Sequence, residues 1–153
     1  MAVAINNCLR KGYYMHRLIT STIICLLAST SFAAEPANTE VKQTVTTRSG
    51  LQYTSIQEGT GATPRPTDTV RVNYRGTLMN GREFDSSYKS GRPAQFQLTN
   101  VIKCWTEGLQ MMKVGGKAKL LCPSNLAYGE EGIMGSIPRY AVLIFEVELL
   151  EIK

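Results

Sequence analysis

The chain has 153 residues, with seventeen Lys and Arg against twelve Asp and Glu, a single histidine and four cysteines. That length accommodates one domain and an appendage. The lone histidine is His16, close to the N-terminus, so the rest of the chain cannot complete a Cys/His zinc set, and no metal or cofactor is expected.

The appendage comes first. Met15-His16-Arg17 precedes an apolar stretch from Leu18 to Ala28, which is followed by Ser31-Phe32-Ala33. A basic start, a short apolar core and a small-x-small site are what a secretory signal requires. Residues 1–33 are therefore read as a signal cleaved after Ala33, with Met15 as an alternative translation start. The stretch up to Ala34 is rich in Ser and Thr, whereas a membrane span needs about 20 mostly apolar residues. No stable membrane anchor is expected, and the mature protein is placed in the periplasm or outside the cell. Arg10, Lys11 and Arg17 leave with the signal, which has no acid, so the remainder carries fourteen basic and twelve acidic residues, net +2. Lys113, Lys117 and Lys119 have no aromatic residues between them and read as a solvated face, not as a nucleic-acid surface.

Residues 34–49 are polar and threonine-rich and read as a flexible leader. The domain occupies residues 50–153. Leu51 to Gln57 alternates as a strand, with Leu51, Tyr53 and Ile56 roughly to one side. Gly59 to Pro66 breaks regular structure. Val70-Arg71-Val72-Asn73-Tyr74 alternates cleanly, and Asn80-Gly81 is a strong hairpin signal because both positions tolerate positive φ. Phe84-Asp85-Ser86 leaves that hairpin, and Gln95 to Leu98 is a short strand. Thr99 or Asn100 is expected to cap a helix whose apolar positions Ile102, Trp105, Leu109 and Met112 share one face. Gly108 inside it costs about 1 kcal/mol relative to Ala and marks close backbone packing. Val114-Gly115-Gly116-Lys117 reads as a hairpin-type turn before Ala118, Leu120 and Cys122 alternate again. In the last strand, Ala141 to Ile152, Leu143, Phe145, Val147 and Leu149 form an apolar face. About five antiparallel strands and one short helix predict an α+β fold, the helix covering one face of a twisted sheet.

Conventional catalytic signatures are missing from residues 34–153: no histidine, no nucleophile elbow, no phosphate loop. Asp85 is a possible general acid without an evident carboxylate partner. The chain either binds, or performs a reaction that needs neither acid, base nor nucleophile.

Prolyl isomerisation is such a reaction, and the ordered motifs lead to it. Tyr74-Arg75-Gly76, Gly81-Arg82-Glu83-Phe84-Asp85-Ser86-Ser87, Val101-Ile102-Lys103-Cys104-Trp105-Thr106-Glu107-Gly108-Leu109, Leu126-Ala127-Tyr128-Gly129, Ile137-Pro138 and Leu143 to Val147 resemble, in order and spacing, the FKBP-type peptidyl-prolyl cis-trans isomerases of the exported bacterial type. They are similar in particular to the C-terminal domain of macrophage infectivity potentiator proteins. The resemblance implies a half-open, twisted half-barrel sheet wrapped around the helix. It makes Trp105 the floor of a proline pocket, with Tyr74, Phe84, Phe96, Val101, Ile102, Tyr128, Ile137 and Phe145 as walls. The Ile102 amide and the Tyr128 hydroxyl would donate to substrate carbonyls, and Asp85 would be a buried carboxylate bonded to Tyr74. Its implied partners are unfolded or Pro-containing polypeptides, with rapamycin-type macrolides as inhibitors. The leader is too short for the helical dimerisation arm of some exported relatives, so a monomer is expected. A holdase chaperone or an exported binding module on the same fold is the alternative.

Three positions depart from the family pattern: Cys104 where relatives usually have Gly, Ala94 where small eukaryotic members have an aromatic, and Ile133 where some carry His. They bear on substrate preference and macrolide affinity. Signal cleavage leaves Cys104 and Cys122, and an oxidising compartment would allow them to pair. In the family fold nothing guarantees that these positions face each other, and each also suits a small buried apolar residue. The expectation is two free, mostly buried thiols.

Overall fold

The alternation of Val70 to Tyr74 continues through a ten-residue strand, and that strand organises the molecule. The computed structural model describes residues 43–153, so the signal and most of the leader lie outside the described residues. The strands are β1 (Thr44–Thr46), β2 (Gln52–Gln57), β3 (Thr69–Leu78), β4 (Glu83–Ser86), β5 (Ala94–Gln97), β6 (Lys117–Cys122) and β7 (Leu143–Ile152), with one helix, α1 (Lys103–Leu109). All strand pairs are antiparallel, in the order β1-β2-β6-β7-β3-β4, with β5 also pairing with β3. The fold is thus an open, twisted α+β sheet with its helix on one side.

Register explains which face is which. Tyr74 stands opposite Val147, and Val147 opposite Ala118; Gly76, Phe145 and Leu120 form the next row; Leu78, Leu143 and Cys122 the one after. Except for Gly76, which has no side chain, these residues are buried and form the core with Val70, Val72, Leu98, Trp105, Leu109 and Met112. The opposite face carries charge in matching rows, Arg75–Glu146–Lys119 and Asn73–Glu148–Lys117. Opposite charges on neighbouring strands favour this register; Lys117 and Lys119 lie on this outer face, whereas Lys113 is exposed in the segment after α1.

The hairpin signalled by Asn80-Gly81 forms, but only Gly81 takes positive φ. Leu78 N–H donates to Arg82 O, Gly81 N–H to Leu78 O, and Gly81 has φ +83°.

Several local expectations are corrected. Strand β1 lies inside the stretch read as leader; its Thr-Val-Thr is exposed and is held by pairing with β2 alone. A register shift between Ser55 and Gln57 interrupts β2, and Ile56 falls on the outer face with Thr54. Leu98–Asn100 forms its own 3-10 turn, so neither Thr99 nor Asn100 caps α1, which starts from an extended Ile102 with no side-chain cap. The helix stops at Leu109, before Met112, yet Met112 is buried all the same. Gly115-Gly116 does not connect paired strands. It joins the segment after α1 to β6 and is pinned to β7, with Gly115 N–H donating to Leu149 O and Leu149 N–H to Gly116 O. Gly108 does mark a close approach: a Cβ there would lie 2.8 Å from both Leu120 Cδ atoms.

The largest correction concerns the cysteines. Cys104 and Cys122 are joined in a disulfide, their Cα atoms 5.7 Å apart and both side chains fully buried. The expected free thiols fail because α1 lies against β6, which brings the first turn of the helix over the end of that strand. A Cα separation of this size is ordinary for a disulfide.

Candidate active site

Four strands and the helix deliver one aromatic ring each to the same place. Tyr74 points inward from β3, Phe84 comes from β4, Phe96 from β5, Phe145 from β7 and Trp105 from α1. Trp105 is the hub. Its ring centroid lies 5.2 Å from Tyr74, 5.4 Å from Phe96 and 5.4 Å from Phe145, each pair close to perpendicular. Tyr74 packs on Phe96 at 5.8 Å and Phe84 on Phe145 at 5.5 Å. Edge-to-face pairs of this kind add about 0.5–1.5 kcal/mol beyond burial. Gly76 makes room for them: a Cβ there would sit 2.6 Å from Phe84 Cζ and 3.0 Å from Phe145 Cε1.

Above this floor lies a cavity of about 380 Å³, lined by these five residues with Asp85, Asn100, Val101, Ile102 and Tyr128. Trp105 Nε1 is buried and has no acceptor among the described residues. One side of the rim is Val101-Ile102, whose extended backbone (φ −110° and −60°) runs beside the cavity before α1 begins. The other is Tyr128, 38% exposed at the end of a braced loop. Gly129 N–H donates to Ser124 O at 2.8 Å and Gly132 N–H to Tyr128 O at 3.1 Å.

Asp85 accepts the Tyr74 hydroxyl at 2.6 Å through Oδ2 and the Ser86 amide at 2.8 Å through Oδ1. Burial, then the hydrogen bond to Asp85, then its charge raise the Tyr74 phenol well above its ordinary value. Burial and then the Asp85 charge also raise Tyr128. Both phenols are neutral donors at pH 7. Asp85 itself is exposed, contrary to the buried carboxylate expected: it stands opposite Gly76 on the edge strand β4 and lines the open side of the cavity.

Nine of the ten predicted site residues meet at this cavity. Ile137 does not. It is buried beneath a loop in which it and Ile133 exchange backbone hydrogen bonds, and it borders a separate open cavity with Arg82, Glu130, Glu131 and Arg139. That second cavity is lined with charge and lacks an aromatic floor. Asn100 and Gly76 belong to the site without a sequence signal for it: Asn100 reads as a helix cap, and the role of Gly76 depends on cross-strand neighbours. Phe96 fills the side left open by Ala94, as its contacts with Tyr74 and Trp105 require.

Residues 60–150 match the family model of the FKBP-type peptidyl-prolyl cis-trans isomerases. The chain belongs to this family. It is 55% identical over 117 residues to the FKBP-type isomerase FkpA of Aeromonas hydrophila, covering 76% of this chain and 43% of that one. It is 48% identical over 105 residues to the outer membrane protein MIP of Legionella longbeachae, covering 69% and 45%. The crystal structure of FkpA from Escherichia coli superposes with a TM-score of 0.71 at 48% identity, covering 74% of this chain and 53% of that chain. The crystal structure of AtFKBP13 does so at 0.67 and 33%, covering 71% and 98%. The chain spans less than half the length of these curated relatives. Among the described residues no helix is long and apolar enough to cross a membrane.

Proposed function

We propose that this domain accelerates cis–trans isomerisation of X-Pro bonds in exported polypeptides, using the Trp105 cavity and no acid, base or covalent step. The uncatalysed barrier is about 18–20 kcal/mol because rotation destroys amide resonance, and the step takes roughly 10–100 s at 25 °C. A twisted imide is less dipolar than a planar one, so water favours the planar ground state. Transfer to an apolar site removes that preference and lowers the barrier by differential binding.

The observation that carries this reading is the arrangement of the site: five packed aromatic rings form its floor, and the Ile102 backbone and the Tyr128 hydroxyl stand at its rim. A proline ring fits over the Trp105 indole. The Ile102 amide and the Tyr128 hydroxyl would hold the flanking carbonyls, fixing one side of the bond while the other rotates. Asp85 holds the Tyr74 ring as a wall. Rapamycin-type macrolides would occupy the same cavity as inhibitors. The domain acts as a monomer in the periplasm or outside the cell, after cleavage at Ala33.

A protease-coupled or refolding assay on X-Pro substrates tests it. The expected result is acceleration that Trp105→Ala removes; a folded wild-type protein giving only the uncatalysed rate overturns the reading. The loop that exposes Ile133 and Met134 favours a second, holdase reading. Suppression of aggregation by the wild type without any isomerisation would make holding the function.

A further inference from the structure

The helix that carries the floor of the site is poorly secured by its own sequence. Helix α1 has seven residues, no side-chain cap at its N-terminus, and a glycine in its interior. A helix this short is marginal in isolation, and Gly108 weakens it further. Three hydrogen bonds hold its start: Trp105 N–H and Thr106 N–H donate to Ile102 O at 2.9 and 3.2 Å, and Thr106 Oγ1 donates to Leu98 O at 2.7 Å.

The disulfide adds a link of another kind. Cys104 immediately precedes Trp105, and Cys122 closes β6, whose partner on one side is β2 and on the other β7. Cys122 pairs across with Leu143 in the buried rows of the sheet. Beyond Cys122 the chain runs through Pro123 and the 3-10 turn Ser124–Leu126 directly to Tyr128. One covalent bond therefore joins the residue next to the floor to the root of the loop that presents the rim hydroxyl.

We propose that Cys104 and Cys122 are positioning residues for the prolyl site: their bond seats the Trp105 indole at a fixed depth beneath the rim formed by Ile102 and Tyr128. This rests on the isomerase reading above. A bond that served stability alone would raise the melting temperature and leave the folded site unchanged. The placement of this one bears on the site, since a displacement of about 1 Å at a positioned group costs up to roughly a hundredfold in rate.

The test compares the oxidised full chain with two bond-free forms, Cys104→Ala/Cys122→Ala and the wild type refolded under reducing conditions. Each is assayed at a temperature where circular dichroism shows it fully folded. Two readouts are taken: kcat/KM on an X-Pro peptide, and acrylamide quenching of Trp105, the only tryptophan in the chain. The expected outcome is a fall of about tenfold in kcat/KM together with increased quenching in both bond-free forms. Either readout unchanged, with an active wild type, overturns the proposal. So does failure of both bond-free forms to fold, because the bond would then be holding the fold and not aiming the site. If the oxidised wild type does not isomerise at all, the isomerase reading falls on its own. The quenching comparison then still decides whether the bond seats the indole.

Discussion

Tyr74 gives its phenolic hydrogen to Asp85 over 2.6 Å, from a buried ring to a carboxylate that faces solvent. The bond spans the boundary between the core and the open side of the cavity, and it orients a ring that also packs against Trp105 and Phe96. Hydrogen bonds to charged groups contribute about 1.5–3 kcal/mol, but water can replace the donor at an exposed carboxylate. Tyr74→Phe should therefore lose only about 1 kcal/mol in chemical denaturation. A loss well above that range would mean that Asp85 is shielded from solvent.

The same pair sets an alkaline limit. Tyr74 and Tyr128 both sit above the ordinary tyrosine value of 10.0, through burial first and Asp85 next. With folded-state values above unfolded ones, the folded protein retains protons that the unfolded chain releases. Their contribution is fully present below about pH 10 and is lost as pH rises beyond it. Denaturation midpoints from pH 8 upward should decline only above that point, and Tyr74→Phe should flatten the decline. A decline that begins near neutral pH would have to come from other groups.

Gly76→Ala should injure the site more than the fold. The added methyl would press on Phe84 and Phe145, and overpacking costs about 1–3 kcal/mol. Gly108→Ala presses on Leu120 instead, and Leu120 does not line the cavity. At matched stability, isomerase activity should fall further in Gly76→Ala than in Gly108→Ala. Equal activities would show that Phe84 and Phe145 can move aside at no cost to catalysis.

Titration with a rapamycin-type macrolide should change Trp105 emission, because a ring seated in the cavity would lie on the indole. Saturable binding with a silent tryptophan would place the ligand elsewhere, the charged cavity beside Ile137 being one alternative.

Much of this was legible in the residues because alternation and turn chemistry are local. Val70 to Tyr74 and Leu143 to Leu149 show their buried face directly, and Asn80-Gly81 announces its hairpin. The rest depends on what lies across a strand or a loop. Strand β1 has no buried face to leave a pattern. Asp85 is exposed on an edge strand at the open side of the cavity, which no window around it reveals. Ile137 is covered by a fold-back with Ile133, whereas a Pro after it suggested only an extended residue. The Cys104–Cys122 bond requires the placement of α1 over β6, which spacing alone does not give.

The two ends of the sheet have a consequence for the proposed function, which brings unfolded chains to the domain. Any unpaired strand edge is a template on which a client could zip up and stay. Among the described residues one end is closed by the three exposed residues of β1, Thr-Val-Thr, and the other by β4 and β5, four residues each. Neither offers enough length or apolar surface to nucleate a foreign strand. On the proposed function, clients would be gripped at the cavity and released without being recruited into the sheet of the protein that handles them.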